Sequence, residues 1–289
     1  MKMFLFFMKS ILTNVYFYTI IICIIFFSVE SFSIVYMLSY VNMLTVIGFL
    51  TSWFSYYFIY FLPLGVIISA FSFFHMLYSH KKIQAFYIFG VSPYYILKRS
   101  LYVVGIPLFI GFLFSFLITN EDITYAKNYL VKEFAKKVIE SIPPKTFEHV
   151  QGYAVYFDNK SKDTFYNLFI AESGNYIYAK KAYYKDGILY AKDGEIFSKE
   201  NSKDYTVAFK DFKIQLYNVG TLGLSESRHK KDIIFNVSNI LLTPLFIILG
   251  FYFISNISMS TSGFYMFLAF FVIIHEALIS VLKVFILKV

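Results

Sequence analysis

"VIGFLTSWFSYYFIYFLPLGVIISAFSFFHML", Val46 to Leu77, decides the class of fold, because it contains no Asp, Glu, Lys or Arg. About 20 apolar residues of helix cross the hydrocarbon core of a bilayer, so this stretch is long enough to span a membrane. The whole composition agrees: of 289 residues, 58% are hydrophobic and 15% are charged, and the mean hydropathy is +0.62. These values exclude an ordinary soluble domain.

Four further apolar stretches approach or exceed this length without Lys or Arg: Ile11 to Leu38, Leu101 to Ile118, Ile233 to Ile254 and Phe264 to Leu282. The first is too long for the apolar region of a secretory signal, and "SVESFS" lacks a small-x-small cleavage site, so we interpret it as a retained span. The sequence therefore predicts an α-helical polytopic membrane protein with five transmembrane helices.

The charged residues concentrate between the third and fourth spans. Only Glu30 and Glu276 of the 18 acidic residues lie outside residues 120 to 232. Here the spacing of apolar residues predicts a helix that starts at Thr124, as N-cap, and stops at Pro143–Pro144. We expect three parts: transmembrane helices in 1–119, a polar domain in 120–231, and C-terminal transmembrane helices in 232–289.

After the helix, the period of the pattern changes to two. Five segments alternate aromatic or β-branched residues with polar ones: "GYAVYFD", "TFYNLFIAE", "NYIYAKKAYY", "GILYAKDGEIFS" and "YTVAFKDFKIQLY". We expect turns at Asp158–Asn159, Ser173–Gly174–Asn175, Asp186–Gly187 and Asp193–Gly194. The pattern predicts an antiparallel β-domain, a β-sandwich or a jelly-roll-like fold.

Cations set the expected orientation in the membrane. They precede the first span and flank the second connection, at Lys2, Lys9, Lys81, Lys82, Lys98 and Arg99. Cytoplasmic loops carry the excess of Lys and Arg, so the N-terminus and the loop 78–99 are predicted to be cytoplasmic and the β-domain to lie on the opposite face.

Within that loop, "IQAFYIFGVSP" predicts a short helix that ends at Gly90, before Pro93. Two interpretations are open. The helix is an interfacial turn held by its aromatic residues, or it is a coupling helix through which a transporter subunit docks into a groove on an ATPase.

Ionisable residues at the spans also have two interpretations each. Glu30 is a residue of the outer interface or a polar contact at a lateral gate between subunits. His275 and Glu276 lie well inside the last span, where ionisable groups are costly, and form a structural pair or contact cargo. Arg228, Lys230 and Lys231 are interface anchors or bind an anionic headgroup.

No motif for catalysis is present: the sequence has no GxSxG, HExxH or Walker A pattern. Cys23 is the one cysteine, which excludes a disulfide within the chain and a cysteine-based metal site. We expect no enzyme activity, no metal and no cofactor in this chain. A membrane-anchored scaffold or sensor remains an alternative, as does a membrane-embedded enzyme using Glu30, His275 and Glu276.

The order of parts resembles the LptF/LptG permeases over roughly residues 5 to 255. The shared features are "FGVSP" at Phe89 to Pro93, "PPKTF" at Pro143 to Phe147 and the Asp193–Gly194 dipeptide before Glu195. The resemblance implies an inner-membrane subunit of an ABC-type complex that exports lipopolysaccharide or a similar lipid. ATP would be hydrolysed on a separate LptB-like ATPase, coupled through Lys82, Ile83, Phe86, Phe89, Gly90, Val91 and Ser92.

The same resemblance implies a second LptF/LptG-like subunit, a periplasmic jelly-roll bridge protein and a lipid cargo as partners, and no nucleic acid. The sequence departs from the family in three respects. Family members usually have six spans, whereas five are predicted here. Lys82 stands where the coupling helix commonly begins with an acid, and Glu30 lies where members place cations near the outer end of the first span.

Overall fold

A computed structural model describes residues 2–32, 35–38, 40–79, 81–150, 153–161, 164–172, 175–185, 188–200, 203–214, 226–257 and 259–288. Within these ranges the helices are α1 (Lys2–Ser31), α2 (Val35–Leu38), α3 (Met43–Ser79), α4 (Lys82–Ile88), α5 (Pro93–Phe114), α6 (Asn120–Ser141), α7 (Glu226–Asn256) and α8 (Thr261–Lys288). The strands are β1 (Glu148–Val150), β2 (Tyr153–Tyr156), β3 (Asn159–Ser161), β4 (Thr164–Glu172), β5 (Asn175–Lys185), β6 (Ile188–Glu200) and β7 (Lys203–Ile214).

Five of the described helices, α1, α3, α5, α7 and α8, are long and apolar enough to cross a membrane, which confirms the predicted class. The first span differs from its predicted bounds. The helix α1 starts at Lys2 and ends at Ser31, and residues 35 to 38 form the separate helix α2. The hydroxyls of Ser28 and Ser31 donate to carbonyls one turn earlier, at 2.7 and 2.6 Å, and such back-bonding weakens a helix end.

The membrane helices belong to one compact unit, formed by Met1–Ser33, Leu50–Ile123 and Leu224–Val289. Small residues allow its helices to approach closely, as is usual where lipid surrounds a bundle. A Cβ atom added at Gly65 of α3 would meet Thr19 of α1, and one added at Gly250 of α7 would meet the ring of Phe71. Phe71 is fully buried and also contacts aromatic rings of α8.

The helix α6 begins earlier than predicted, so Thr124 is not its N-cap. The backbone N–H and the hydroxyl of Thr119 both donate to the Asp122 carboxylate at 2.8 Å. The third helical residue thus satisfies the N–H that precedes the helix, as in one half of a capping box. The helix ends at Ser141, two residues before Pro143, as the sequence predicts.

The second unit consists of Ile34–Phe49 and Thr124–Gly223 and contains the β-domain. All described strands belong to one antiparallel sheet, ordered β1-β2-β4-β5-β6-β7, with β3 paired to β4. The predicted inserted antiparallel β-domain is therefore confirmed. The strands β4 to β7 follow one another in sequence order, whereas β2 and β3 both pair with β4; β1 and β7 end the path.

The predicted turn at Asp193–Gly194 is wrong, because both residues lie inside β6. The register with β5 and β7 continues across them, but Asp193 has a φ of 51°, as does Asn167 on β4. A Cβ atom on Gly194 would meet the Tyr178 carbonyl and the Phe209 ring. The glycine therefore permits a close approach between strands rather than a turn. The predicted turns at residues 173–174 and 186–187 lie outside the described residues.

One face of the sheet carries an apolar row from β2 to β7. The register aligns Val155, Ile170, Ile177, Ile196 and Val207 on successive strands, so their side chains point to the same face. Ile170 is fully buried, whereas Val207 on the edge strand is 58% exposed. The apolar face thus continues from the buried centre of the sheet to its exposed edge.

Candidate functional site

The helix α4 ends in a Schellman motif, which explains the predicted glycine stop. Gly90 has a φ of 71°, a conformation that residues with a Cβ atom rarely adopt. Its N–H donates to the Tyr87 carbonyl, and the N–H of Val91 donates to the Phe86 carbonyl, both at 2.9 Å. The chain therefore reverses at a fixed point between α4 and α5.

Ser92 and Pro93 start the next helix immediately. The Ser92 Oγ accepts a hydrogen bond from the Tyr95 N–H at 3.2 Å, and Pro93 occupies the first turn, where a missing N–H costs nothing. The "GVSP" sequence thus encodes two successive caps. This geometry joins α4 rigidly to the third membrane span.

The inner face of α4 is anchored on the membrane helices. Ile83 is 6% exposed and belongs to their hydrophobic core, against which Phe86 and Val91 also pack. The Phe86 ring meets the Phe7 ring of α1 edge to face, with centroids 6.1 Å apart. Movement of α4 must therefore displace residues of the bundle.

The outer face of α4 presents an uncovered apolar tip. Ile88 and Phe89 are 82% and 84% exposed, and Tyr94 at the start of α5 is 70% exposed. We call these three residues the docking tip. Lys81 and Lys82 are exposed at the opposite end of α4. An exposed apolar patch is typical of a protein interaction surface.

The other predicted site residues do not gather at the docking tip. Glu30 lies in the last turn of α1 and Arg228 in the first turn of α7, and their side chains lie outside what the structure describes. Lys230 and Lys231 follow in α7, exposed and half-buried respectively. The structure leaves both interpretations of these residues open.

A polar cluster that the sequence did not predict ties the start of α6 to the start of α7. The Oγ1 of Thr119 lies 3.2 Å from His229 Nδ1, and the N–H of Glu121 donates to the Asp232 carboxylate at 3.2 Å. These contacts fix both ends of the polar insert where it leaves and re-enters the membrane helices. The sequence signal was weak, because the partners are more than a hundred residues apart.

The last span holds a pair of ionisable residues, as its sequence suggests. His275 is fully buried, and its Nδ1 lies 3.3 Å from Oε1 of Glu276. The ring of Phe246 on α7 packs edge to face against the imidazole, with centroids 5.1 Å apart. The Tyr60 hydroxyl of α3 faces the Glu276 carboxylate. Three helices therefore meet around this pair.

The helix α7 adds polar residues that were missed from sequence. Asn236 and Asn239 are each 3% exposed, and Thr243 is fully buried. The Asn239 amide donates to the Tyr60 carbonyl at 3.1 Å. These residues recur in "NVSNILLT" at the spacing of one helix face. This regular spacing of polar residues within an apolar span could have predicted a buried polar face on α7. No three His, Cys, Asp or Glu side chains within the described ranges are placed to hold a metal ion.

Comparison with known proteins supplies the family. The family described as "Lipopolysaccharide export system permease LptF/LptG" matches residues 5–221. An "Uncharacterized protein" of Aquifex aeolicus (strain VF5) is 24% identical over 241 residues, which cover 82% of this chain and 83% of that relative. Since the family match includes the first three spans, the docking tip and the described strands, the chain belongs to the LptF/LptG family of lipopolysaccharide export permeases.

Proposed function

We propose that this multi-pass protein is the permease subunit of an ABC-type complex of the bacterial inner membrane. It extracts lipopolysaccharide or a similar lipid and is driven by a separate ATPase that binds the docking tip. One observation carries the proposal: α4 is buried on one side by the membrane helices and uncovered on the other. Family membership supports the export role, and the geometry of α4 supports the mode of coupling.

Force can pass from an ATPase to the membrane through two rigid connections. The first is Phe86, which packs against Phe7 of α1. The second is the cap at Ser92, which joins α4 to α5 without a flexible linker. A displacement of the docking tip would therefore move α1 and α5 together, as closure of a cavity between two permease subunits requires.

Charge indicates the character of the partner surface. Lys81 and Lys82 are exposed at the start of α4, about two helical turns before the apolar tip. A groove that accepts this surface needs apolar walls and carboxylates at its border. We expect an LptB-like ATPase with acidic residues at the position that meets Lys82. ATP binds to that partner, because this sequence has no phosphate-binding loop.

Hydrolysis is required because acyl chains do not leave a bilayer spontaneously. Each buried CH₂ contributes about 0.8 kcal/mol to membrane retention. After extraction, the apolar face of the sheet, which extends from Ile170 to Val207, would shelter the acyl chains from water. A second permease subunit would complete the cavity, and a jelly-roll bridge protein would continue the path beyond the β7 edge.

A pull-down in mild detergent from native membranes tests the proposal. We would compare the tagged protein with Phe89→Ser and with Val207→Ser, a matched loss of an exposed apolar residue in the β-domain. We expect an ABC ATPase to co-purify with the wild type and with Val207→Ser, and its recovery to fall about tenfold or more with Phe89→Ser. Recovery of envelope proteins without an ATPase would instead identify a membrane-anchored scaffold.

A further inference from the structure

A titratable pair lies in the middle of the last span, away from the docking tip. His275 and Glu276 occupy the middle of α8, with His275 Nδ1 3.3 Å from Glu276 Oε1. The imidazole is fully buried, and its Nε2 has no hydrogen-bond partner among the described residues. The Glu276 side chain is 37% exposed on α8, the least buried of the five described candidate spans. Such groups in a span usually have a function.

The bilayer restricts the charge states that the pair can adopt. A lone carboxylate or a lone imidazolium is strongly disfavoured away from water. Two states are neutral overall, namely an imidazole beside a carboxylic acid and an imidazolium beside a carboxylate. Each of these states holds one titratable proton, on Glu276 Oε1 or on the second ring nitrogen of His275. In both states the proton lies between His275 Nδ1 and Glu276 Oε1, which are 3.3 Å apart.

Among the residues that the structure describes, the groups packed around the pair are uncharged. From α3, the neutral Tyr60 hydroxyl faces Glu276, and from α7 the Phe246 ring and the Asn239 amide lie nearby. Cys23 of α1 belongs to the neighbouring hydrophobic cluster, against which Tyr60 and Val272 pack. The nearest described cation along α8, Lys283, lies over the Phe235 ring at 5.5 Å, where it also faces Asp232 at the outer end of α7.

We propose that His275, Glu276 and Tyr60 form an intramembrane proton-binding site. One proton is shared by the imidazole and the carboxylate, and the interaction of Tyr60 on α3 with Glu276 depends on where this proton lies. When the proton moves from His275 to Glu276, the Tyr60 hydroxyl faces a neutral acid instead of a carboxylate, and the electrostatic attraction between α3 and α8 weakens. Because α3 leads directly to α4, the site links proton position to the helix that precedes the docking tip.

Infrared spectroscopy of the full chain in lipid nanodiscs tests the site without any transport assay. The absorption of a protonated carboxyl group distinguishes carboxylic acid from carboxylate. In His275→Asn at pH 7, we expect a carboxylic acid band that shifts in D₂O and that is absent from the His275→Asn/Glu276→Gln double variant. A carboxylate at Glu276 in His275→Asn at this pH would overturn the proposal.

Two further measurements keep the test decisive if His275→Asn folds poorly. His275→Gln should give the same band, and in Glu276→Gln the ¹⁵N NMR signals of His275 should be those of a neutral imidazole at pH 7. An imidazolium in that variant would contradict the shared proton. The carboxylic acid band of His275→Asn should be identical in sodium and potassium buffers. Loss of this band in one of the two buffers would identify a metal cation, not a proton, as the ligand.

Discussion

The side-chain amide of Asn239 donates a hydrogen bond to the backbone carbonyl of Tyr60 across 3.1 Å, from α7 to α3. The acceptor lies in the turn that precedes Pro63, where proline lacks an N–H and its ring disturbs the helical hydrogen bonds. Backbone groups loosened in this way must be satisfied by neighbouring helices when lipid surrounds the protein. Asn239 therefore supports a weak point of α3 on the path to the docking tip.

Replacing Asn239 by alanine should destabilise the bundle by about 0.6 to 1.7 kcal/mol, the range measured for hydrogen bonds between membrane helices. The free energy of unfolding, measured by steric trapping in bicelles, would show it. Ser238→Ala is the matched control, because the Ser238 hydroxyl bonds only within its own helix. Equal effects of the two substitutions would contradict the role of Asn239 between helices.

Gly250 is expected to tolerate no side chain, since a Cβ atom there would meet the ring of buried Phe71. Gly250→Ala should cost about 1 to 3 kcal/mol, as overpacking usually does. At Gly105 an added Cβ atom meets nothing within 4 Å. Gly105→Ala should therefore leave the melting temperature unchanged or raise it, because alanine favours the helix. The comparison of the two melting temperatures is the measurement.

Ser92→Ala should loosen the joint between α4 and α5, because the cap on the Tyr95 N–H is lost at about 1 kcal/mol. In reconstituted vesicles, we expect ATP hydrolysis to continue while lipid release per ATP falls. Ser92→Asp restores an acceptor at the same position and should recover coupling. Failure of Ser92→Asp to recover it, with binding of the ATPase intact, would contradict a capping role.

The β-domain should lose stability in acid at Asp158. Hydrogen bonds from the Asn167 amide and the Tyr156 hydroxyl, with nearby Lys145, hold the pKa of the Asp158 carboxyl below its usual value. The folded pKa lies below the unfolded value of about 3.9, so the contribution is complete above that pH and disappears as the pH falls through the folded pKa.

Comparison of the wild type with Asp158→Asn tests the direction of this pH dependence of stability. Melting of the sheet, followed in the infrared amide I band, should differ between the two proteins at pH 6, and the difference should shrink below about pH 4. Asp211→Asn removes a carboxylate elsewhere in the sheet and serves as the control. A difference that grows in acid would contradict the assignment.

Sequence patterns were sufficient for the elements whose formation depends on local signals. Apolar length predicted the five spans, alternation predicted the five longest strands, and Gly90 with Pro93 predicted the end of α4. The Asp193–Gly194 dipeptide was misleading, because the same two residues occur in turns and where strands approach closely. Only the pairing with the neighbouring strands distinguishes the two cases. Thr124 misled for a similar reason: the Asp122 carboxylate caps the helix one turn earlier, at Thr119.

Contacts between distant residues could not be predicted. The His275–Glu276 pair was visible because its members are adjacent, but Tyr60 is one of 26 tyrosines and nothing local distinguishes it. Its role follows from α3 packing beside α8. The exposure of Ile88 and Phe89 could not be predicted from sequence either. Apolar residues in a membrane protein can contact the core, the lipid or a partner protein, and their composition is the same in all three cases.

Photo-crosslinking from the docking tip tests the central claim most directly. A benzophenone amino acid would replace Phe89 in one variant and Phe147 of the β-domain, which is 63% exposed, in another. After irradiation of intact cells, the account predicts an adduct between position 89 and an ABC ATPase, and none from position 147. An adduct from position 147 alone, or lipid adducts alone from position 89, would contradict it, because α4 would then lie on the membrane surface.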